Sequence, residues 1–360
     1  MSAVVDAARL AEAPKALLHD HLDGGLRIAT ILEIADSIGW TPRLPTTDPD
    51  ALQAWFTAGA ASKDLLAYLA TFEHTLAVMQ TEENIERVAY EAVIDLAADG
   101  VVYAEVRFAP ELHDMPLAAS TTAVTTGFRR AEAELRDRGV TLATSLIVCA
   151  MRTEHRSLEV ARFVERMREL DDKVVAFDLA GAETGFPPSM HADALAHARG
   201  AHLNITIHAS EPPDLELISD AIAHGAHRIG HGVRLDRDVT YDDDGQMMLG
   251  PLARHIYDRG IHLEMAPTCN TQIGAVGSVA EHPVIPFMRH GFNVGVNTDN
   301  RLMSDVSPTG ELRALHDAHS LTWSEVHTLV TNAIGSGFAS REIRRHIIDS
   351  IVDPWYAAAG

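Results

Sequence analysis

The 360-residue chain carries 51 acidic and 29 basic residues, a formal net charge of −22, and 46% of its residues are hydrophobic. This charge repels nucleic acid and anionic membranes, so we expect neither as a partner and expect a neutral or cationic small-molecule substrate. Two cysteines, Cys149 and Cys269, are too few for a disulfide framework or a cysteine-based zinc site. No signal-peptide pattern and no membrane-length apolar run occurs, so the predicted location is cytoplasmic.

Short apolar segments alternate with helical patterns along the chain. The predicted strands are 16–21, 101–108, 141–148, 174–179, 203–208, 228–231, 261–266 and 293–298. Most are continuous apolar runs, as expected of strands buried on both faces. Between them, stretches such as 82–99 and 155–170 repeat apolar residues at helical spacing. The alternation predicts one α/β domain over residues 1–360, a (β/α)₈ barrel of the TIM type.

The segment between the first two predicted strands is too long for a single crossover helix. Residues 50–80 are therefore predicted to form extra helices over one end of the barrel. We expect Leu65, Leu69, Phe72 and Leu76 to be ordinary helix core, with a lid over the barrel mouth as the alternative.

Polar side chains stand at the ends of several predicted strands. In "ALLHDHLDGG", His19 and His21 share one strand face because side chains alternate with a period of two. The fourth predicted strand runs into "FDLAGAE", and three further strands end in His208, His231 and Asp299. Catalytic residues of such barrels lie at the carboxyl ends of the strands, so these groups predict a shared site.

Three histidines and one aspartate form a zinc-compatible set with room for a water molecule. The predicted ligands are His19, His21, His208 and Asp299. A bound metal lowers the pKa of its water from 15.7 to about 7, and Asp299 could also accept the water's proton. Glu211, shielded beyond the fifth strand, would have a raised pKa and could donate a proton, while His231 could orient the water or stabilise charge. This chemistry suits deamination of an aromatic amidine or hydrolysis of an amide.

The lysines favour a single metal ion. Two-metal relatives of this barrel bridge their ions with a carboxylated lysine at the end of the fourth strand. This chain has only Lys15, Lys63 and Lys173, and none stands at a predicted carboxyl end of a strand.

From about residue 15 onward the chain resembles the adenosine deaminase family of the amidohydrolase superfamily. The resemblance rests on "HDHLDGG", "EVRFAP", "DLAGAE", "HASE", "RIGHG" and "NTDN", in the family's order. It implies zinc-dependent hydrolysis of adenosine or deoxyadenosine to inosine or deoxyinosine plus ammonia. In that reaction hydroxide on the zinc attacks purine C6.

The resemblance also implies residue roles. One zinc ion would be bound by His19, His21, His208 and Asp299. Glu211 would protonate the ring nitrogen next to the attacked carbon, His231 would position hydroxide, and Asp299 would be catalytic as well. The implied substrate contacts come from His21, from Asp23 to the ribose, from the Gly181 backbone to the purine, and from Asn300.

The sequence departs from the family's pattern at three places. Ser210 stands where the family usually has the glycine of H-A-G-E, Asn300 replaces a second aspartate, and residues 265–270 differ from C-P-x-S-N. We hypothesise that Ser210 reshapes the pocket. The alternatives are therefore a deaminase of adenine, of an aminofutalosine-type nucleoside or of another amino-purine, or a mononuclear amidohydrolase acting on another bond.

The remaining acidic residues, cysteines and histidines are predicted to have structural or surface roles. The acidic stretch 236–245 is predicted to be a solvated loop, and Cys269 to be a packing residue. Six further histidines are expected at the surface or at helix caps: His74, His155, His191, His197, His255 and His319.

Overall fold

The computed structural model describes residues 3–63, 68 and 70–360. Eight parallel strands form one sheet in the order β1-β2-β3-β4-β5-β6-β9-β10. The strands are β1 Lys15–His21, β2 Val101–Phe108, β3 Ala143–Met151, β4 Val174–Ala180, β5 Asn204–Ala209, β6 Arg228–His231, β9 His262–Met265 and β10 Val294–Val296. Each overlaps a predicted strand, and the predicted TIM-type α/β barrel is confirmed.

The barrel closes between β1 and the segment that follows β10. The amide of His21 donates to the Asp299 carbonyl (2.8 Å) and the amide of Asp299 donates to the His19 carbonyl (2.9 Å). The amides of Leu18 and His19 also donate to Asn297 Oδ1, at 2.8 and 3.0 Å. The closing seam therefore runs directly through three predicted metal ligands, His19, His21 and Asp299.

Helices fill the connections and cover the barrel. Before β5 they are Ile28–Ser37, Pro49–Ala60, Phe72–Ala77, Glu82–Ala98, Leu117–Asp137, Ser157–Leu170 and Ala192–Gly200. After β5 they are Glu216–Ala223, Pro251–Arg259, Pro267–Gln272, Val284–His290, Arg301–Ser304, Pro308–His319, Trp323–Ser336, Arg341–Ile347 and Asp353–Ala359, with a π-helical turn at Ile348–Val352. Among the described residues, the helices fall short of the length and apolar character that crossing a bilayer requires.

The helix before β2 shows how the sequence sets these boundaries. The Thr81 side chain accepts the Asn84 amide at 3.2 Å, an N-cap that satisfies one of the free amides of the first turn. Gly100, with φ of 79°, turns the chain out of the helix and into β2, a conformation that favours glycine. The prediction of a helix over 82–99 is accordingly confirmed to within one residue.

The extra helices between β1 and β2 are present, at Pro49–Ala60 and Phe72–Ala77. Phe72 and Leu76 are half-buried and line the main cavity, so neither is ordinary helix core alone. Phe72 also packs against the hydrophobic core, which agrees with the expectation for that residue. Their position agrees with the alternative of a cover over the mouth. Leu65 and Leu69 lie outside the described residues.

The acidic stretch 236–245 is not simply a loop. Val239–Tyr241 (β7) pairs antiparallel with Met247–Leu249 (β8) as a small exposed hairpin. The acidic residues of the stretch concentrate in its turn, which is exposed as predicted. Strands of three residues among so many acids give no periodic signal, which is why the pairing was not predicted.

The barrel interior contains a buried ion network beneath the mouth. Arg107 donates to Glu264 (2.6 Å) and Asp178 (3.1 Å), and Arg228 donates to Glu264 (2.6 Å) and Glu105 (2.6 Å). All five side chains are at most 2% exposed. Charges this deeply buried are tolerated because each carboxylate has a hydrogen-bonded cationic partner.

Candidate active site

A cavity of about 240 Å³ opens at the carboxyl end of the strands. It is lined by nearly all of the predicted site residues: His21, Asp23, Gly181, His208, Glu211, His231, Asp299 and Asn300. His19 lies behind the cavity, fully buried, with its ring centroid 4.6 Å from that of His208. Residues far apart in sequence thus meet at one site, as the pattern of strand ends predicts.

Five side chains converge at the base of this cavity. His19, His208, His231 and Asp299 each present one ligand atom, and these atoms lie within 4.8 Å of one another. His21 Nε2 is 3.1 Å from His208 Nε2 and 3.3 Å from Asp299 Oδ1. Imidazole nitrogens and a carboxylate are suitable ligands for a divalent transition metal, so the residues present fit such an ion.

Buried carboxylates orient two of these imidazoles. His19 Nδ1 lies 2.9 Å from Glu264 Oε2, and His208 Nδ1 lies 3.2 Å from the Asp178 carboxylate. A carboxylate can only accept, so each Nδ1 carries the hydrogen and each Nε2 keeps its lone pair. This is the usual outer-shell support of a metal-binding histidine.

A chain of hydrogen bonds gives His231 the opposite tautomer. The Val284 amide donates to His282 Nδ1 (3.2 Å), so His282 Nε2 carries the hydrogen and donates to Asn270 Oδ1 (3.1 Å). The Asn270 amide nitrogen then donates to His231 Nδ1 (3.1 Å). His231 Nε2 therefore bears a hydrogen and lies 3.6 Å from Glu211 Oε1. That arrangement favours His21 over His231 as the third imidazole ligand and leaves His231 as a donor.

Burial determines the charge of these groups. It is the main cause that lowers the pKa of His19, His21 and His231 well below the usual value, which keeps the three imidazoles neutral. Burial, followed by the charges of Glu183 and Asp299, raises the pKa of Glu211 well above its usual value. Such a raised pKa favours the protonated form of Glu211, which is the form that a proton donor needs.

Glu211 stands on a turn with an unusual backbone. Ser210 has φ of 80°, and its hydroxyl, which is completely buried, accepts the Arg234 amide at 3.3 Å. The buried Glu183 carboxylate accepts the amides of both Ser210 (2.8 Å) and Glu211 (3.2 Å). His231 and Asp299 also have positive φ, 60° and 59°. Left-handed non-glycine residues cost of order 1–3 kcal/mol each and persist where surrounding contacts hold them, often at functional sites.

The remaining predicted contacts lie around the mouth. Burial raises the pKa of Asp23 to about 6. Asn300 donates through Nδ2 to the Tyr68 hydroxyl, and its buried Oδ1 has no partner among the described residues. Gly181 has φ of 95°, and a Cβ at this position would lie only 2.9 Å from Met151 Cε. The lack of a side chain therefore lets the Gly181 backbone lie against the cavity wall. The prediction that Cys269 only packs is incomplete, because its thiol donates to Asp299 Oδ2 at 2.8 Å.

A family model described as adenosine deaminase matches residues 14–354 of this sequence. The adenosine deaminase of Mycobacterium sp. (strain KMS) is 48% identical over 352 residues, which is 97% of this chain and 96% of that protein. The chain belongs to the adenosine deaminase family. Members of this family are metal-dependent hydrolytic deaminases that act on C–N bonds of small purines, so the resemblance seen in the sequence is confirmed at that level.

Solved structures of related deaminases share the fold. The adenine deaminase of Arthrobacter aurescens has a TM-score of 0.79 and 25% identity, and the match covers 96% of this chain and 99% of that one. The Arabidopsis N6-mAMP deaminase has a TM-score of 0.80 and 22% identity, with 98% and 100% covered. These neighbours therefore share the barrel fold of this chain.

The structure explains one of the departures from the family pattern, the serine at residue 210. A positive φ at residue 210 is the conformation for which glycine is suited, which accounts for the usual glycine and makes Ser210 a strained replacement. Ser210 is not among the described residues that line the cavity, so the hypothesis that it reshapes the pocket would have to act through the backbone.

Sequence reasoning missed the residues that support the site. Glu183 lies in the quoted "DLAGAE" motif but was given no role, and nothing in the sequence around Asn270 and His282 signals their contact with His231. The expectation of a surface or capping position is wrong for His74, which is 7% exposed and hydrogen-bonded inside the protein. His191 is equally buried, but it is the N-cap residue of the helix Ala192–Gly200, so the capping position is confirmed for it. The other four of the six histidines are half-buried or exposed, and none of the six lies among the residues described around the cavity.

Proposed function

We propose that this family member deaminates adenosine or 2′-deoxyadenosine to the inosine nucleoside plus ammonia. The observation that carries the proposal is one cavity in which Glu211, a carboxyl whose pKa is raised by burial, faces a set of imidazoles and the carboxylate of Asp299. Deamination at a purine carbon needs an activated water on one side and a proton for the ring nitrogen on the other.

We further propose zinc as the metal, one ion per chain. Its ligands would be His19, His21, His208 and Asp299. Bound zinc supplies a water whose pKa is lowered to about 7, and hence a nucleophile at neutral pH. The chain has no lysine at a carboxyl end of the barrel strands, since Lys15 begins β1 and Lys173 precedes β4. The single-ion proposal is therefore kept.

The chain's own residues would then act on the bound purine. Glu211 donates its proton to the ring nitrogen beside the attacked carbon. His231 Nε2–H, whose direction is set by Asn270, donates a hydrogen bond to the attacking oxygen and stabilises charge as attack proceeds. Asp299 accepts the proton that the attacking water loses.

The cavity walls favour a nucleoside. Phe72, Leu76, Leu112 and Met151 supply apolar surface for a flat ring. Asp23 at the rim can accept a ribose hydroxyl, while Asn300 and the Gly181 backbone face the purine. No lysine or arginine is found among the described residues that line the cavity, so a 5′-phosphate would lack a cationic partner.

Adenine is the second candidate substrate, because the Arthrobacter aurescens neighbour is an adenine deaminase with the same fold. A 5′-monophosphate, the substrate class named for the Arabidopsis neighbour, is disfavoured because the described residues that line the cavity include no lysine or arginine. The other amino-purine nucleosides and another C–N bond remain the further alternatives. A cytoplasmic location, and a purine nucleoside rather than nucleic acid or membrane as the partner, stay predictions from the sequence.

A substrate panel tests the proposal directly. Zinc-loaded protein is incubated with adenosine, deoxyadenosine, adenine, AMP and an aminofutalosine-type nucleoside, and ammonia release is measured. We expect kcat/KM to be highest for the two nucleosides and more than about 100-fold lower for AMP, the scale on which a poorly matched pocket discriminates. Adenine or AMP as the preferred substrate would replace the nucleoside proposal.

A further inference from the structure

A second cavity lies outside the candidate active site, between the segments that follow β3 and β4. Its volume is about 170 Å³. A single water molecule needs only roughly 10–15 Å³ on this measure, so the cavity is large enough for a small polyatomic ligand. Among the described residues, it shares no lining residue with the main cavity. Its walls include Arg152, Ser157, Leu158, Phe186 and His191.

Arg152 places a buried positive charge at this cavity. Among the described residues, Arg107, Arg152 and Arg228 are the arginines that are at most 1% exposed. Arg107 and Arg228 are each hydrogen-bonded to two carboxylates. Arg152 forms no salt bridge with any described carboxylate. Because an unpaired buried charge is costly, the structure leaves a place for a counter-ion beside Arg152.

The hydrogen bonds of Arg152 leave one of its donors without an acceptor. Nη2 donates to the carbonyls of Leu179 (3.1 Å) and His208 (2.6 Å), and Nη1 donates to the carbonyl of Phe186 (3.3 Å). The buried Nε has no partner within the part of the chain that the structure describes. Since Arg152 lines the cavity, an anion there would supply an acceptor for Nε–H and a counter-charge for the guanidinium.

Two helices begin at the wall of the same cavity. Ser157–Leu170 starts at one side and Ala192–Gly200 at the other, and their N-cap residues, Arg156 and His191, make no side-chain cap. The first amides of a helix have no acceptor within the helix, and this end of the helix dipole is positive. A helix N-terminus therefore favours a bound anion, and here two of them meet at one buried arginine.

Two acidic residues, Glu154 and Asp193, also line the cavity. Both are exposed, so water and dissolved salt screen their charges. The charge of Arg152 is buried and is screened much less. The inner end of the cavity is therefore positive, although its outer edge has mixed charge.

We propose that this cavity is a binding site for a small oxyanion, represented by inorganic phosphate, with Arg152 as its counter-charge. The phosphate oxygens would accept from Arg152 Nε–H and from the first amides of the two helices. An ion with several acceptor oxygens suits donors that converge from three directions. The proposal does not rest on the proposed deaminase function, because the cavity is separate from the candidate active site.

The bound ion should also hold the segment that follows β4 in place. Arg152 already contacts this segment through the Phe186 carbonyl, and His191 Nε2 donates to the Arg152 carbonyl at 3.0 Å. His191 Nδ1 accepts the Ser157 hydroxyl at 2.9 Å, which joins the segment to the neighbouring helix. We therefore expect phosphate to slow amide hydrogen exchange in residues 181–191.

Leu158 offers a matched pair of variants. It is half-buried, lines the cavity and lies in the first turn of its helix. Leu158→Glu places a carboxylate where the anion would bind, and Leu158→Gln has the same shape without the charge. Titration calorimetry of the metal-loaded protein with phosphate, with sodium chloride matching the ionic strength, should show saturable binding in the wild type and in Leu158→Gln. Binding to Leu158→Glu should be at least about 10-fold weaker, because like charges in contact repel.

Thermal unfolding gives a second measurement. Phosphate should raise the Tm of the wild type and of Leu158→Gln, as a ligand of the folded state does, while chloride should not. Without phosphate, Leu158→Glu should have a higher Tm than Leu158→Gln, because its carboxylate supplies the missing negative charge.

Three results would overturn the proposal. Equal phosphate affinity in the two Leu158 variants would place the ion elsewhere, the metal site included. Absence of saturable binding to the wild type at millimolar phosphate would remove the site. If the Leu158 variants do not fold, hydrogen exchange of the wild type decides, and phosphate binding without protection of residues 181–191 would contradict the assignment.

Discussion

Buried carboxyl groups have opposite pKa shifts at the barrel's mouth and in its interior. In the interior, Glu264 is held between Arg107 and Arg228, and these cations, acting against the effect of burial, lower the pKa of Glu264 to about 2. At the mouth, Asp23 and Glu211 have no lysine or arginine in salt-bridge contact among the described residues. Burial raises the pKa of Asp23 to about 6 and that of Glu211 further above its usual value.

This difference separates the polar groups that stabilise the fold, in the barrel interior, from those available to bind a ligand, at the mouth. The interior carboxylates are paired, so removing one partner there should destabilise the protein. The mouth groups are left without cationic partners on a backbone with positive φ at Ser210, His231 and Asp299. Changing them should affect activity while stability changes little. Five predictions test this contrast, from the largest expected effect to the smallest.

His21→Ala should abolish metal binding and activity together. The rate should fall by more than about 10⁴-fold, because without the metal the pKa of the nucleophilic water returns from about 7 toward 15.7. Elemental analysis and ammonia release measure the two losses. The matched variant His231→Ala should keep the metal and lose only activity. Full metal binding in His21→Ala would remove His21 from the ligand set and favour His231.

Glu211→Gln should keep its metal and its fold but lose the proton donor. We expect kcat to fall by about 10²–10⁴-fold, the usual contribution of general acid catalysis. The urea midpoint should not decrease, because the substitution removes an unpaired buried carboxyl. Turnover close to that of the wild type would show that another group delivers the proton.

Arg228→Met should break the interior network while leaving the mouth in place. It leaves Glu105 without its guanidinium partner and Glu264 with only one, and loss of a buried partner costs about 3–5 kcal/mol in the free energy of unfolding. Arg254→Met, which removes an exposed Arg254–Asp258 pair, serves as the control and should cost less than about 1 kcal/mol. Equal costs for the two variants, measured by urea unfolding, would contradict the contrast.

Glu311 tests whether the pKa of a buried carboxyl depends on a cationic partner or on its position in the barrel. It is fully buried behind the mouth, accepts the Thr268 amide, and burial raises its pKa to about 8. Because this folded-state pKa lies above the unfolded value, the folded state binds the extra proton, and stability falls as pH rises through the window up to about 8. Between about pH 5 and pH 9 the loss should approach roughly 4 kcal/mol.

Glu311→Gln should remove that part of the pH dependence. Urea unfolding of both proteins at a series of pH values measures it, and the difference between them isolates Glu311 from the other titrating groups. Parallel pH profiles for the variant and the wild type would show that Glu311 is ionised in the folded protein across this range.

Glu183→Gln should misplace the turn that carries Glu211. Hydrogen bonds to a charged acceptor contribute about 1.5–3 kcal/mol, so kcat should fall roughly 10–100-fold with little change in KM. Adding Ser210→Gly should recover part of kcat, because glycine adopts a φ of 80° without strain. A double variant no better than Glu183→Gln would mean that the Glu183 charge, not the turn geometry, matters.

The barrel and its site could be predicted because their signals lie within short segments. Continuous apolar runs marked the eight strands, and the histidines and Asp299 marked their ends. The rule that barrel sites gather at one end then assembled residues as distant as His19 and Asp299. The roles assigned to these residues, however, stay predictions until the variants are measured.

The supporting contacts could not be predicted because they depend on tertiary distances. His282 acts on His231 through Asn270, and each of these contacts joins different elements with no local pattern. Likewise the sequence shows that Ser210 departs from the family's usual glycine, but only the folded backbone shows its positive φ. Sequence therefore specifies which groups meet, while the structure specifies their tautomers and strain.

The closing seam has a consequence for how the enzyme is made. The bond from the Leu18 amide to Asn297 joins positions 279 residues apart, and Asp299 completes the proposed ligand set of His19 and His21. A ribosome must therefore release almost the whole polypeptide before these ligands can meet. Nascent chains and fragments that end before β10 contain at most the three histidines of the set and no Asp299 to close it. Deaminase activity thus requires synthesis of nearly the whole chain, and an incompletely translated chain should have no activity.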